Sequence, residues 1–529
     1  MHISGPTSAD RPDSPEGPDA HKPSVGRRIL GGVLSGAGFA VVTAVVQFIQ
    51  IPLVLSYLPR DIAGIWFLFL SLGVYIAYFD LGISPTISRE ISFVLGKDRH
   101  EESEKLRMVA DLLSTCAAIF RVMAAVVLIA GLAGGWLFLR RVVPGDGSAE
   151  VGIAWAVFTF GASVNILGGA AFSALYGLGN VAAERIIKSV ALVFGLLLSA
   201  LSLYLGFGII GLAAAWVLQN AAARVVALIV LGRYYPWLRH ARGKARIDIT
   251  KKIAVPSLKW AAMGLGAILI LYTDNPIIAA TLGPSRIPSY EAAIKIVFML
   301  MFLSLLLTTS SSPFFSRAYS AGEMDSFREL LSRNVRFGMS AMVVLASFLS
   351  LFGDRVIELW LGGGNFVGYP VLWTLLIVLT LECHHVIHAT AVMAAGHVIF
   401  LRPAIIAGAL KIALSLLLVG RYGLFGVALG TLIAQLLTNN WYAPYAALRL
   451  FDIPLREYLR RIVLPLALFF LVMTGVNFGL KSVIYGSAMP SGLALPLSFL
   501  VSASFGIIIT WFLMATDAER KTIKKLSIV

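Results

Sequence analysis

Fourteen apolar runs recur between residues 29 and 516, each long enough to cross a hydrocarbon core as a helix. Inside that core every backbone N–H and C=O must find its partner within the chain. A spanning segment is therefore a helix or a strand of a closed barrel. Barrel strands alternate apolar and polar positions, whereas these runs are continuous, which argues against a barrel. Composition agrees. The chain is 58% hydrophobic with a mean hydropathy of +0.84, and 13% of its residues are charged. That is about half the charge that coats a soluble protein. Soluble-enzyme, fibrous and disordered classes are excluded. The two cysteines, Cys116 and Cys383, both fall in apolar runs and form no disulfide or metal framework.

Charge sets the expected orientation. With the N-terminus in the cytoplasm and the sides alternating, inner segments hold 32 Lys and Arg and outer segments hold 7. This is the positive-inside bias expected of a multi-pass protein of the cell (inner) membrane with both termini cytoplasmic. The net charge of +15 then reads as basic loops facing anionic lipid rather than nucleic acid. The connections are too short for a soluble domain.

Residues 1–28 are polar and rich in Pro, Ser and Gly, which predicts a disordered cytoplasmic tail rather than a cleaved signal. Residues 29–232 read as six helices and 256–448 as six more, joined by a basic linker over 233–255. Residues 449–516 add helices thirteen and fourteen, and 517–529 form a C-terminal tail. The two halves repeat. Gln50-Ile51-Pro52 lies opposite Asp274-Asn275-Pro276 at an offset of 224. Ser84-Pro85 through Arg89 lies opposite Ser312-Pro313 through Arg317 at 228. Further Gly and Arg matches follow in order. An even number of helices per repeat predicts two six-helix lobes related by a pseudo-two-fold along the membrane normal.

These motifs carry a resemblance. Ile51-Pro52-Leu53, Ile62-Ala63-Gly64-Ile65-Trp66, Phe79-Asp80-Leu81-Gly82 and the late Gly423-Leu424-Phe425-Gly426 block resemble the Wzx-type O-antigen and capsule-repeat flippases. Those belong to the multidrug/oligosaccharidyl-lipid/polysaccharide exporter superfamily. The resemblance implies an all-α, V-shaped pair of lobes. It also implies alternating-access transport of a polyprenyl-pyrophosphate-linked oligosaccharide for surface polysaccharide synthesis. Its partners would be that glycan lipid, the membrane lipids and polysaccharide-assembly proteins. No enzyme activity and no cofactor is implied, with proton or cation coupling left open. The peptidoglycan-precursor flippase is disfavoured, because residues 29–58 contain no Lys or Arg.

A charge at the bilayer centre costs about 2.5–3.5 kcal/mol on insertion scales, so intramembrane charges are candidate functional residues. Lys295 is the first choice for an anionic headgroup, with Glu291 one turn earlier on the same face. A neutralised structural pair is the alternative. Arg121, Arg224 and Lys411 read as structural or snorkelling residues nearer the lobe interior. Asp274, two residues before Pro276, is a candidate for proton or cation exchange. Its alternative is a kink residue bonded toward helix one, where Gln50 is its repeat mate. Gln47 and Gln50 are expected to serve the glycan. Pro52 and Pro276 are expected hinges. Arg89 and Arg317 are expected at the inner gate or gripping the incoming pyrophosphate. His384 and His388 share a helix face, but His385 stands where a zinc-protease motif needs Glu, so no metal is expected. Nucleotide-binding and hydrolase motifs are absent. The competing reading is a cation-coupled multidrug exporter, which would prefer an acidic, aromatic cleft. A membrane glycosyltransferase or polymerase would need a large outer loop.

Topology is directly testable. Reporter fusions after His240 and at the C-terminus should read cytoplasmic, and one after Gly145 should read outside. An external signal after His240 would undo the helix count and the repeat.

Overall fold

The computed structural model describes residues 25–96, 102–143, 148–240, 243–485, 491–516 and 519–520. The tails expected over 1–28 and 517–529 lie almost wholly outside them. The described elements are helices throughout. The first lobe comprises α1 (Val25–Tyr57), α2 (Arg60–Ala77), α3 (Ile83–Leu95), α4 (Glu102–Val142), α5 (Ser148–Leu167), α6 (Gly169–Gly177), α7 (Val181–Tyr204) and α8 (Gly208–Tyr234). A single turn, α9 (Trp237–His240), leads out of it. The second lobe comprises α10 (Ile247–Leu271), α11 (Asp274–Leu282), α12 (Ile287–Ser320), α13 (Met324–Leu361), α14 (Tyr369–Ala394), α15 (Leu401–Leu437) and α16 (Tyr442–Leu450). Beyond it, α17 (Leu455–Tyr458) leads into α18 (Leu464–Tyr485), which packs with α19 (Ser491–Ile509) on α13.

Among the described residues, 13 helical stretches are long and apolar enough to cross a membrane. The sequence shows fourteen apolar runs, and the difference lies in α15. Gly423 breaks that helix with φ 58° and ψ −136°, a conformation that costs an L side chain heavily. The two arms then fold back on each other. A Cβ on Gly426 would lie 2.4 Å from the carbonyl oxygen of Leu418, and one on Gly430 would lie 2.6 Å from the Ser415 nitrogen. Ser415 Oγ donates to the Val427 carbonyl at 3.2 Å. Runs 403–420 and 424–448 are therefore two antiparallel spans joined by one glycine, and the spans number fourteen. The protein is an all-α polytopic membrane protein.

The outer faces suit lipid. Val122, Ile129 and Leu417 are 65%, 70% and 75% exposed, which water would not tolerate over so much surface. Three spans break internally, and each break is capped from within the chain. Asp80 Oδ1 accepts from the Ser84 backbone N at 3.1 Å and its hydroxyl at 3.2 Å, starting α3 after the left-handed Leu81. Between α5 and α6, Arg224 donates to the Val164 carbonyl at 2.7 Å and to Asn165 Oδ1. The third break, between α10 and α11, forms the site described below.

The lobes meet tightly at one end. Arg60, which starts α2, donates to the Ser285 carbonyl at 3.2 Å, the Gly364 carbonyl at 3.1 Å and the Ser289 hydroxyl. A Cβ on Gly64 would lie 1.9 Å from the Pro284 carbonyl oxygen, so only glycine permits this approach. Phe48 stacks on Trp360 with centroids 4.1 Å apart, and Trp360 Nε1 donates to the Phe48 carbonyl at 3.2 Å. At the opposite end, Lys252 of α10 pairs with Glu90 of α3 at 2.6 Å. Asp111 of α4 accepts from the Lys244 backbone N of the linker at 2.8 Å.

Arg60→Ala should open the sealed end. Both native cysteines are fully buried, so Ser289→Cys supplies an unambiguous reporter. Labelling of Ser289→Cys by an impermeant maleimide should rise several-fold when Arg60→Ala is added. Equal labelling in both backgrounds would show that Arg60 does not hold the closure.

Candidate functional site

A cavity of about 690 Å³ lies between the lobes. It extends along α1 toward Phe39 and along α12 toward Thr309, away from the Arg60 seal. Its wall is largely apolar. Its polar floor is built where the seventh span breaks. Helix α10 ends at Leu271, and α11 begins at Asp274 with Thr273 as its N-cap residue. The break frees backbone groups and turns side chains inward, which hydrocarbon tolerates only beside a polar cavity or inside protein.

Asp274 is the centre of this floor. It is 5% exposed and pairs with Lys411 of α15, whose side chain is wholly buried, at 2.7 Å. Lys411 also donates to the Ile270 carbonyl, which α10 leaves unpaired at its end. The Tyr290 hydroxyl donates to the second Asp274 oxygen at 2.9 Å. Beside it, Asn275 Nδ2 donates to Ser71 Oγ of α2 at 2.8 Å and to Glu291 Oε1. Tyr75 and Thr273 share a hydroxyl–hydroxyl bond of 2.8 Å across the lobes. Lys295 lies 3.8 Å from Glu291 and donates to Gln47 Oε1 of α1 at 3.3 Å.

The structure thus brings together Lys295, Glu291, Asp274, Gln47 and Gln50, all of which line the cavity. It separates the others. Arg89 lines a second, basic cavity within the first lobe. Arg317 is exposed at the end of α12 and lines neither cavity. Pro52 lies inside an unbroken α1, next to the seal. Pro276 sits in the first turn of α11, where no N–H is required of it.

Two expectations need correction. Asp274 bonds to Lys411 and Tyr290 rather than toward Gln50. Arg121 is exposed on the outside of its lobe, with Nε on the Ala117 carbonyl at 3.3 Å, and does not point inward. Of the charged residues that line the central cavity, Asp274 is held by Lys411 and Glu291 faces Lys295. The partnership of Lys411 was not legible, although a buried acid and a buried base in apolar spans must each find a counter-charge.

The histidines of α14 form a closed chain of hydrogen bonds. His388 Nδ1 lies 2.8 Å from the His384 carbonyl, so it donates there and leaves Nε2 as an acceptor. The Tyr458 hydroxyl donates to that Nε2 at 3.0 Å and accepts from His384 Nε2 at 2.5 Å. His385 donates to the Asn439 carbonyl at 3.0 Å. Every ring is occupied within the bundle, and among the described residues no three ligands gather for a metal.

No family model matches this sequence, and a search of curated proteins finds no match. Solved structures do match in fold. A multidrug resistance MATE family transporter of the MOP superfamily, in an inward-facing conformation, aligns with a TM-score of 0.64 at 15% identity, over 78% of this chain and 94% of its own. The lipid II flippase MurJ, in an inward closed conformation, aligns with a TM-score of 0.66 at 14% identity, over 90% and 97%. A MOP superfamily transporter from Pyrococcus furiosus aligns with a TM-score of 0.52 at 15% identity, over 82% and 94%. The chain has the fold of these transporters.

The Asp274–Lys411 pair should behave as a buried ion pair. Lys411→Met or Asp274→Asn alone leaves one charge uncompensated and should destabilise the fold by about 3–5 kcal/mol. The double variant should recover most of that loss in a detergent melting assay. Additive losses in the double variant would show that the two residues act independently.

Proposed function

We propose that this chain is a flippase that moves a polyprenyl-pyrophosphate-linked oligosaccharide across the inner membrane by alternating access. The observation that carries the reading is Lys295: a half-buried ammonium at an inter-lobe cavity, reaching the amide of Gln47 on the opposite lobe. An anion leaving the headgroup layer needs fixed positive charge in place of water and counterions. A hydrogen bond to a charged group returns about 1.5–3 kcal/mol of that cost. Gln47, Gln50 and Asn275 supply amides for sugar hydroxyls, and the apolar wall suits the adjoining lipid. The fold neighbours include a lipid II flippase, so this architecture accommodates lipid-linked cargo. Both termini then face the cytoplasm, and Arg60 seals the outer end. Residues 29–232 and 256–448 act as the two moving lobes about the linker, with Pro52 and Pro276 as bend points. Surface polysaccharide assembly is the process served.

A second reading is cation-coupled multidrug export, which another fold neighbour's description names. It draws on Asp274 and Glu291, two carboxylates in one cavity that would suit a cationic drug.

The two readings diverge at Lys295. In proteoliposomes carrying a fluorescent polyprenyl-pyrophosphoryl glycan, Lys295→Ala should slow flipping at least tenfold, and Lys295→Arg should retain part of it. Glu291→Gln should preserve flipping. Normal glycan flipping by a stable Lys295→Ala protein, together with loss of drug efflux in Glu291→Gln, would replace the first reading with the second.

A further inference from the structure

The second cavity, of about 900 Å³, is built differently from the first. It lies mainly in the first lobe, walled by α3, α6, α7 and α8, with Trp260 of α10 also lining it. Four cations line it, Arg89, Arg185, Lys188 and Arg224, against two acids, Asp80 and Glu184. The acids are already committed. Asp80 caps α3 through Ser84. Glu184, 4% exposed, lies 3.3 Å from Arg185 Nε and also pairs with Lys188. The cations are braced as well. The Arg185 guanidinium lies 5.3 Å from the Phe39 ring centroid, and the Lys188 ammonium 5.0 Å from that of Phe172. Both keep about a third of their side-chain surface accessible. Arg224 is 7% exposed, and its buried Nε has no acceptor. A desolvated guanidinium donor without an acceptor is costly unless an anion completes it. Phe39, Leu192 and Gln219 line both cavities, so the two adjoin.

We propose that this vestibule is an anion site for a pyrophosphate group, occupied before the cargo enters the central cavity. The proposal rests on the flippase reading and adds a station to it. Arg185 and Lys188 contact the outer oxygens, Arg89 closes over them from the mouth, and Arg224 marks the inner limit. The lining carries two positive charges in excess, which matches a pyrophosphate diester. The central cavity, where Lys411 neutralises Asp274 and Lys295 stands beside Glu291, carries no such excess. The same chemistry would accept free inorganic pyrophosphate, and the probes below separate the two sources.

The test is equilibrium binding of radiolabelled inorganic pyrophosphate to the full-length protein in nanodiscs, competed by farnesyl pyrophosphate or by farnesol. Pyrophosphate should bind and should weaken as salt rises. Farnesyl pyrophosphate should compete at least tenfold better than inorganic pyrophosphate, and farnesol should not compete. Equal potency of the two pyrophosphates would make the site a reader of the free anion and overturn its role as a lipid-headgroup station. Arg185→Gln with Lys188→Gln leaves Glu184 buried and unpaired, so the triple variant with Glu184→Gln is the better loss-of-binding protein. It should lose binding at least tenfold. Glu184→Gln alone frees both cations and should tighten binding several-fold, an outcome that misfolding cannot mimic. Arg121→Gln, on the outer face of the lobe, should bind as the native protein does. Undetectable binding to the native protein, or unchanged binding in the triple variant, would overturn the vestibule. It would leave the Lys295 flipping result to decide the flippase reading separately.

Discussion

The break in the seventh span rests on one buried ion pair. Lys411 has no exposed surface, and without Asp274 it would be an ammonium stranded in hydrocarbon. Their contact holds α15 against the start of α11, and the Lys411 bond to the Ile270 carbonyl caps the end of α10. With both helix ends fixed, Asn275, Tyr290 and Glu291 are aimed at the cavity and at Ser71 of the other lobe. A helix interrupted at this depth would otherwise expose unpaired backbone to lipid. The polar floor between the lobes thus exists because one lysine, more than a hundred residues away in sequence, pins the interruption.

The contacts between lobes are of another kind. Arg60 binds two backbone carbonyls and one hydroxyl, with no carboxylate among them, and it stands exposed. Water replaces such acceptors at little cost, because a hydrogen bond exchanged for hydration is worth about 0.5–1.5 kcal/mol net. The opposite end is held by Lys252 on Glu90 and by the linker backbone on Asp111. The fully desolvated ion pair lies within a lobe, whereas the lobes are joined by exposed bonds at Arg60, by buried acids bonded at the other end, and by the buried Asn275–Ser71 bond between them. On the proposed function the two lobes separate at this seam. The close fit of Gly64 on Pro284 makes the seam all-or-none rather than gradual, since packed surfaces at van der Waals distance do not deform continuously.

Much of this fold was legible in the sequence because hydrocarbon imposes a length and a polarity on every span. The fourteen runs could be read directly, those at 403–420 and 424–448 as separate spans. The charged residues in spans were also visible as anomalies, and five of the expected site residues do line one cavity. Their partners were not visible. Nothing local at Lys411 indicates whether it meets Asp274, Glu291 or Glu382. Opposite charges in apolar runs signal that pairing must occur, while the choice of partner depends on how helices cross. Arg60 and Arg121 show the same limit. One sits in an ordinary loop position and ties the lobes together. The other sits mid-run and faces outward, where a long side chain can return its charge to its own helix backbone. The basic vestibule was missed for a further reason. Its cations come from three helices, and the sequence reads Arg89 as a gate or grip residue and Arg224 as a structural one, with nothing local to bring either beside Arg185 and Lys188.

On the proposed flippase reading, the distribution of charge between the two cavities gives a physical order to transport. A site that holds an anion tightly at the mouth would trap it unless the next station is weaker but still favourable. Passage requires binding strong enough to enter and weak enough to leave. The vestibule has four cations to two acids, whereas in the central cavity each acid has its cation, Lys411 on Asp274 and Lys295 beside Glu291. Attraction for an anion therefore falls with depth. Lys295 keeps the deeper station from being purely repulsive, and Glu291 at 3.8 Å keeps it from being a trap. On this argument Glu291 is a tuning residue. Neutralising it would deepen the inner well and favour occupancy while leaving passage intact, whereas neutralising Lys295 would leave the Glu291 carboxylate facing the cargo without its counter-charge and strongly disfavour an anion.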